Sequence, residues 1–189
     1  NRFIFVGRFS KNKRIDKLLD LVARLKTEFP DVHLSVVGRD YDHLKGEFLN
    51  LIERYDIGHH VTICEALSEE DLLKEMAEAA YFISASEYEG FGLSSLEAMA
   101  GGRTAFLSQI PSFKKMVSDG KNGYLVDFED MDSAAEKIKQ VLRSGAHDSV
   151  RFAGVETARQ HSWGAIVDKF ISMYEMVQNE ETAPVSKVK

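Results

Sequence analysis

The sequence predicts an α/β fold, a doubly wound, Rossmann-like parallel sheet followed by a terminal amphipathic helix. Short runs rich in β-branched and aromatic residues alternate with longer segments of helical periodicity. Strands separated by helices imply right-handed crossovers and a parallel sheet covered on both faces. After residue 161 the alternation stops and one long apolar stripe follows.

The first strand is expected at 2–7, where Arg2-Phe3-Ile4-Phe5-Val6 opens the chain. Ile15, Leu18, Leu19, Val22 and Leu25 then recur at three- and four-residue steps, the stripe of a helix ended by Pro30. Further strands are predicted at 33–38, 61–65, 81–85, 104–108 and 124–126. Helices are predicted at about 43–56, 69–79, 94–100, 113–118, 131–143 and 149–160. Trp163, Ile166, Val167, Phe170, Ile171, Tyr174 and Val177 mark the last helix, which must pack on this domain's flank or on a second domain. Asn179 to Lys189 is polar, contains Pro184 and lacks periodicity, so residues 1–178 read as one domain and 179–189 as a disordered tail. In a doubly wound sheet ligands bind beyond the carboxyl ends of the strands, which directs attention to the loops after Val6, Val37 and Ala85.

The composition excludes several classes of function. With 189 residues, 44% of them hydrophobic, the chain can bury one substantial core. A net charge of −6 and a pI near 5.6 leave no basic face for a nucleic acid. Arg8, Lys11, Lys13 and Arg14 still gather enough positive charge for a small anion. Cys64 is the only cysteine, which rules out an internal disulfide, fits a reducing cytoplasm and reads as a small buried residue. No run approaches the ~20 apolar residues of a membrane span and no signal peptide heads the chain, so a soluble domain is expected. The opening directly on a strand-like run after Asn1 reads as a fragment of a longer protein.

The stretch Ser86-Glu87-Tyr88-Glu89-Gly90-Phe91-Gly92-Leu93-Ser94-Ser95-Leu96-Glu97-Ala98-Met99-Ala100 is the most informative. It leaves a strand, turns through two glycines and opens a helix whose unsatisfied N–H groups and dipole favour an anion. Ser95 stands where the third glycine of a dinucleotide fingerprint would fall, and no P-loop lysine follows, so neither an NAD site nor a Walker motif is expected. Glu89 and Glu97 are eight residues apart, which at a helical rise of ~1.5 Å per residue spreads them over roughly 10 Å or more. That is too wide for the close carboxylate pair of a retaining glycosidase. Each carboxylate can instead accept hydrogen bonds from neighbouring hydroxyls. A surface role for both residues remains open on spacing alone.

Glu89, seven intervening residues and Glu97, in the context Glu-Gly-Phe-Gly-Leu-x-x-Leu-Glu-Ala-Met, resembles the paired-glutamate motif of the retaining GT-B glycosyltransferases, glycosyltransferase group 1. Val6-Gly7-Arg8-Phe9-Ser10 with Lys13 resembles the same family's first glycine-arginine loop and its lysine, and the likeness extends to the aromatic helix around Trp163 and Tyr174. The resemblance implies the C-terminal, donor-binding half of a GT-B fold, with the N-terminal acceptor domain absent from this chain. It implies that Arg8 and Lys13 neutralise the donor diphosphate, that Glu89 binds the transferred sugar and that Glu97 holds the ribose. Gly90, Phe91, Gly92 and Leu93 would line sugar and phosphates through their amides. Gly7, Gly38, Arg39 and Leu67 would lie near the nucleotide, although Gly38 could simply end a strand and Leu67 could be core.

The chain departs from the common pattern at Arg14, where glycine is usual, at Thr104, where proline is frequent, and at Ser108-Gln109-Ile110-Pro111-Ser112-Phe113, which lacks a glycine pair. Asn-Lys-Arg-Ile-Asp, Gly38-Arg39-Asp40-Tyr41-Asp42-His43 and Ile-Pro-Ser-Phe look most like bacterial exopolysaccharide mannosyltransferases working on a lipid carrier. The implied donor is therefore GDP-mannose, with no further cofactor and no required metal. The acceptor would be a glycan or lipid-linked saccharide held through the missing domain, with the whole protein peripheral at the inner face of the membrane. The isolated fragment should bind donor and hardly turn over. An epimerase or phosphorylase half, or a non-catalytic nucleotide-sugar-binding domain, stands as the alternative.

Three other features read as structural. Asp130-Met131-Asp132 has a metal-binding form but precedes a helix, where aspartates cap. His59-His60 lacks partners at metal-ligand spacing. Trp163 and Tyr174 fit a packed helix better than a sugar platform.

Overall fold

A computed structural model describes residues 1–145 and 148–181, with side chains through Gln178. Its six strands are β1 (Arg2–Val6), β2 (His33–Gly38), β3 (Val61–Glu65), β4 (Tyr81–Ser84), β5 (Thr104–Ser108) and β6 (Tyr124–Val126). They form one sheet in the order β3-β2-β1-β4-β5-β6, every paired neighbour parallel. The direction of winding reverses between β1 and β4, so these two strands flank the topological switch point.

Period-two alternation sorts the strand side chains onto two faces. Phe3, Phe5, Val36, Ile83 and Phe106 belong to one buried cluster, covered by α1 (Ile15–Leu25), α2 (Lys45–Arg54) and α6 (Met131–Ser144). Ile4, Val37, Phe82 and Leu107 point into the other, covered by α3 (Glu69–Glu78), α4 (Leu93–Ala100), α5 (Pro111–Met116) and α7 (Asp148–Gln160). Phe5, Phe82 and Phe106 are at most 1% exposed, and burying a side chain of this size contributes about 1.5–3 kcal/mol each.

The helix ends follow local chemistry. Ser68 caps α3 by accepting the amide of Asp71 at 3.1 Å, and Asp130 caps α6 by accepting that of Ser133 at 3.1 Å. Asp130 is therefore a cap, and Asp132 pairs with Arg24. Pro111 starts α5 two residues ahead of the predicted 113 because its fixed φ suits the first turn. His60 donates from Nδ1 to the Val32 carbonyl oxygen at 2.9 Å, fastening the turn before β3. Cys64 is half-buried, less enclosed than expected, since it lies on the edge strand β3; burial pushes its thiol up.

The last helix, α8, spans Trp163–Glu181. It continues past residue 178, where the tail was placed; residues 182–189 lie outside those described. It also does not bury its stripe on this domain: Trp163 is 84% exposed and Tyr174 70%, with Phe170 and Ile171 each at least half exposed. Trp163 and Tyr174 are thus largely unburied among the described residues, where the main neighbour of α8 is α7. Among the described residues no helix is long and apolar enough to cross a membrane.

Candidate functional site

The site is built at the carboxyl ends of β1, β2 and β4, where three loops converge. The first contact is backbone on backbone. Gly7 donates its amide to the Val37 carbonyl at 2.9 Å and Phe9 to that of Arg39 at 2.9 Å, extending the β1–β2 ladder past the strands. A Cβ on Gly38 would lie 1.9 Å from the Gly7 carbonyl oxygen, so this position tolerates only glycine. Gly38 does more than end a strand. The close approach brings Gly7, Arg8, Gly38, Arg39 and Leu67 around one cleft of ≈ 260 Å³, which Tyr41 also lines. Leu67 is half-buried against the second cluster and lines the cleft as well. Neither the Arg8 nor the Arg39 guanidinium has a hydrogen-bond or ion-pair partner among the described residues.

A single 3-10 turn, Lys11–Lys13, then leads through Arg14 into α1. Arg14 adopts φ 49°, the left-handed region in which glycine is at home, which explains why glycine suits this position. Arg14 compensates through its side chain, gripping Asp16 at 3.1 Å and Glu87 at 2.5 Å. These bonds, that to Asp16 first, hold its guanidinium above its ordinary value. Asn12 ties the same turn to the β4 loop: its carbonyl accepts the Glu87 amide at 2.8 Å, and its side-chain amide donates to the Tyr88 carbonyl at 3.3 Å.

That stitching sets Lys13 opposite Glu89, with Nζ donating to Oε1 at 2.6 Å. The two residues assigned above to diphosphate and sugar are therefore paired with each other, a relationship the linear spacing did not reveal. Glu89 Oε1 also accepts from the fully buried Ser86 hydroxyl at 2.8 Å. Ser86 was missed; a buried serine two residues beyond a strand gives only a weak sequence signal.

Beyond Glu89 the loop turns at Gly92, which has φ 87° and where a Cβ would meet Phe113 Cε1 at 2.6 Å. No side chain caps α4, so the first amides of the helix, from Leu93, have no side-chain acceptor. Gly90, Phe91 and Leu93 are exposed. Glu89, Gly90 and Phe91 line a cleft of ≈ 420 Å³ together with Lys115 and His161. Glu97 lies on the exposed face of α4 with no partner among the described residues, in a neighbouring cleft of ≈ 450 Å³ with Leu93, Arg159 and Trp163. The predicted residues thus do not share one cleft: Arg8 and Arg39 line one, Glu89 a second and Glu97 a third, the last two meeting at His161. His161, a residue absent from the sequence prediction, lines two of them; its ring lies 5.6 Å from that of Phe91, and Nδ1 donates to the Thr157 carbonyl at 2.8 Å.

Chemically, the two guanidiniums that line one cleft and, separately, the start of α4 with no side-chain cap each suit an anion such as a phosphate, while Glu97 and the second oxygen of Glu89 can accept from hydroxyls. The fold is a Rossmann-like parallel sheet with clefts at the carboxyl ends of its strands. The family Glycosyl transferases group 1 matches residues 1–160, and the chain belongs to it.

Among curated proteins the chain is 28% identical over 173 residues to the GDP-mannose:cellobiosyl-diphosphopolyprenol alpha-mannosyltransferase of Xanthomonas campestris, covering 90% of this chain and 46% of that protein. It is 27% identical over 178 residues to the phosphatidyl-myo-inositol mannosyltransferase of Mycobacterium leprae, covering 92% and 46%. The chain therefore spans about half the length of the curated relatives it matches. Among solved structures, the pneumococcal O-GlcNAc transferase GtfA in complex with UDP and GlcNAc superposes with a TM-score of 0.82 at 22% identity, over 94% of this chain and 36% of that one. Sucrose-phosphate synthase from Thermosynechococcus elongatus gives 0.80 at 26%, over 95% and 46%.

Proposed function

We propose that this chain is the donor-binding half of a retaining glycosyltransferase that moves mannose from GDP-mannose to an acceptor hydroxyl, carried on a lipid-linked saccharide in exopolysaccharide synthesis. The observation that carries this reading is the placement of Arg8 beyond β1, at the switch of winding, and of Arg39 beyond the neighbouring β2 in the same cleft, with the Lys13–Glu89 pair joining the loops after β1 and β4. The names of the mannosyltransferase relatives support the choice of sugar and of a lipid-linked acceptor.

In this reading the diphosphate settles between Arg8 and the first amides of α4 and draws Lys13 from Glu89. As the sugar–phosphate bond breaks, negative charge grows on the diphosphate, where these groups are already oriented to meet it. Each charge-assisted hydrogen bond contributes about 1.5–3 kcal/mol. Glu89, released from Lys13, accepts hydroxyls of the hexose, and Glu97 those of the ribose. Gly7, Gly38, Arg39 and Leu67 line the nucleotide. No step is assigned to a metal, because the cations of the chain itself serve the diphosphate. The acceptor and its machinery belong to a further domain, through which the whole protein would sit peripherally at the inner membrane face.

Calorimetric titration with GDP, UDP and ADP tests the reading, repeated with Glu97→Ala and with Arg8→Ala plus Lys13→Ala. GDP-selective binding weakened by both variants is expected. Selectivity for UDP or ADP would reject GDP-mannose as donor.

A further inference from the structure

The carboxylate of Glu89 is held asymmetrically. Oε1 accepts from Lys13 Nζ at 2.6 Å and from Ser86 Oγ at 2.8 Å, while Oε2 accepts nothing among the described residues. One oxygen belongs to the protein and the other is left for a ligand.

Behind Glu89 stands a chain of buried hydroxyls at the ends of β4 and β5. Ser84, Ser86 and Ser108 are 2%, 0% and 7% exposed. Their protons can be assigned. A carboxylate only accepts, so the single Ser86 hydroxyl proton goes to Glu89. In the 2.9 Å contact between Ser84 Oγ and Ser86 Oγ, Ser84 is then the donor. Ser108 donates to the Ser86 carbonyl oxygen at 2.5 Å and fixes the backbone from the neighbouring strand. The Ser84 and Ser86 protons thus run in one direction, toward Glu89, an arrangement that polarises the final bond.

We propose that Ser86, backed by Ser84 and Ser108, is the positioning residue that keeps Glu89 aimed at the hexose once Lys13 has been drawn to the diphosphate. This rests on the donor-site reading above. Of the two bonds to Oε1, that from Lys13 comes from a cation the diphosphate competes for, whereas that from Ser86 comes from a group no ligand can reach. Removing the Ser86 hydroxyl therefore disturbs hexose recognition and leaves nucleotide affinity in place.

The test uses the full-length protein and GDP-mannose, comparing wild type with Ser86→Ala, Ser86→Thr and Ser84→Ala. Calorimetry gives the Kd for GDP, and initial rates give kcat and KM for mannosyl transfer. In Ser86→Ala, kcat/KM is expected to fall about tenfold or more, with the GDP Kd within about twofold of wild type. Ser86→Thr, which keeps the hydroxyl, restores most of the loss, and Ser84→Ala shows a smaller loss in the same direction. Unchanged kcat/KM in Ser86→Ala, or a parallel loss of GDP binding and transfer, overturns the inference. If Ser86→Ala does not fold, Ser84→Ala decides by the same split. A wild type that does not transfer mannose from GDP-mannose sinks the donor reading itself, an outcome distinct from active wild type with an indifferent Ser86→Ala.

Discussion

Lys13 Nζ and Glu89 Oε1 lie 2.6 Å apart on side chains only 16% and 15% exposed, joining two loops 76 residues apart in sequence. The pair is shielded enough to matter and wet enough to exchange. The pair neutralises two groups that, on the proposed reading, a sugar nucleotide would each engage separately. On that reading binding would be an exchange of partners at Lys13, with the carboxylate handed over to hydroxyls.

Replacing Glu89 by glutamine keeps the shape and removes the competing charge. GDP affinity should rise about three- to tenfold, because Lys13 no longer has to leave an ion pair and the diphosphate no longer meets a neighbouring anion. Mannosyl transfer by the full-length protein should fall at the same time. Weaker GDP binding in Glu89→Gln would contradict the exchange.

The cleft glycine should be intolerant for steric reasons alone. Gly38→Ala puts a methyl 1.9 Å from the Gly7 carbonyl, backbone against backbone, with no flexible side chain to yield. The β1 and β2 loops must separate, so both thermal midpoint and GDP binding should drop. Gly46→Ala, whose Cβ meets nothing within 4 Å, is the control. A Gly38→Ala protein with wild-type melting would refute the close approach.

Arg14 separates backbone strain from side-chain bonding. Both Arg14→Ala and Arg14→Gly lose the contacts to Asp16 and Glu87, but only alanine keeps the cost of φ 49°. The left-handed conformation costs a non-glycine residue about 1–2 kcal/mol. Arg14→Gly should accordingly be more stable than Arg14→Ala by about 1 kcal/mol in urea unfolding. Equal stabilities would mean that the turn relaxes once the side chain is gone.

The apolar face of α8 should contribute nothing to the stability of this chain alone. Phe170→Glu and Tyr174→Glu alter side chains 55% and 70% exposed, so the unfolding midpoint should stay unchanged. Dye binding and self-association, driven by the exposed patch, should decline. A marked loss of stability in either variant would show that the face is covered within the chain.

How much could be read without coordinates depended on the range of the physics involved. The alternation of Phe3, Ile4 and Phe5, and the three-four spacing of Ile15, Leu18, Leu19 and Val22, are local patterns. Burial demands them, so strands, helices and the sheet class were legible from the amino acids by themselves. Asp130 as a cap and the glycine turn before α4 were legible for the same reason. The strand order was not, because nothing local to β1 states that β2 and β4 lie on its two sides. From that order follow the pairing of Lys13 with Glu89, the contact of Ser108 with the Ser86 backbone, and the approach of Gly38 to Gly7. The exposure of Trp163 was equally hidden, since an amphipathic stripe specifies that a helix wants a partner and not where one is. The sequence alone determined the layers and the kinds of residue at their carboxyl edge; tertiary structure decided which of those residues touch, because contacts across 76 residues are set by how the strands are ordered.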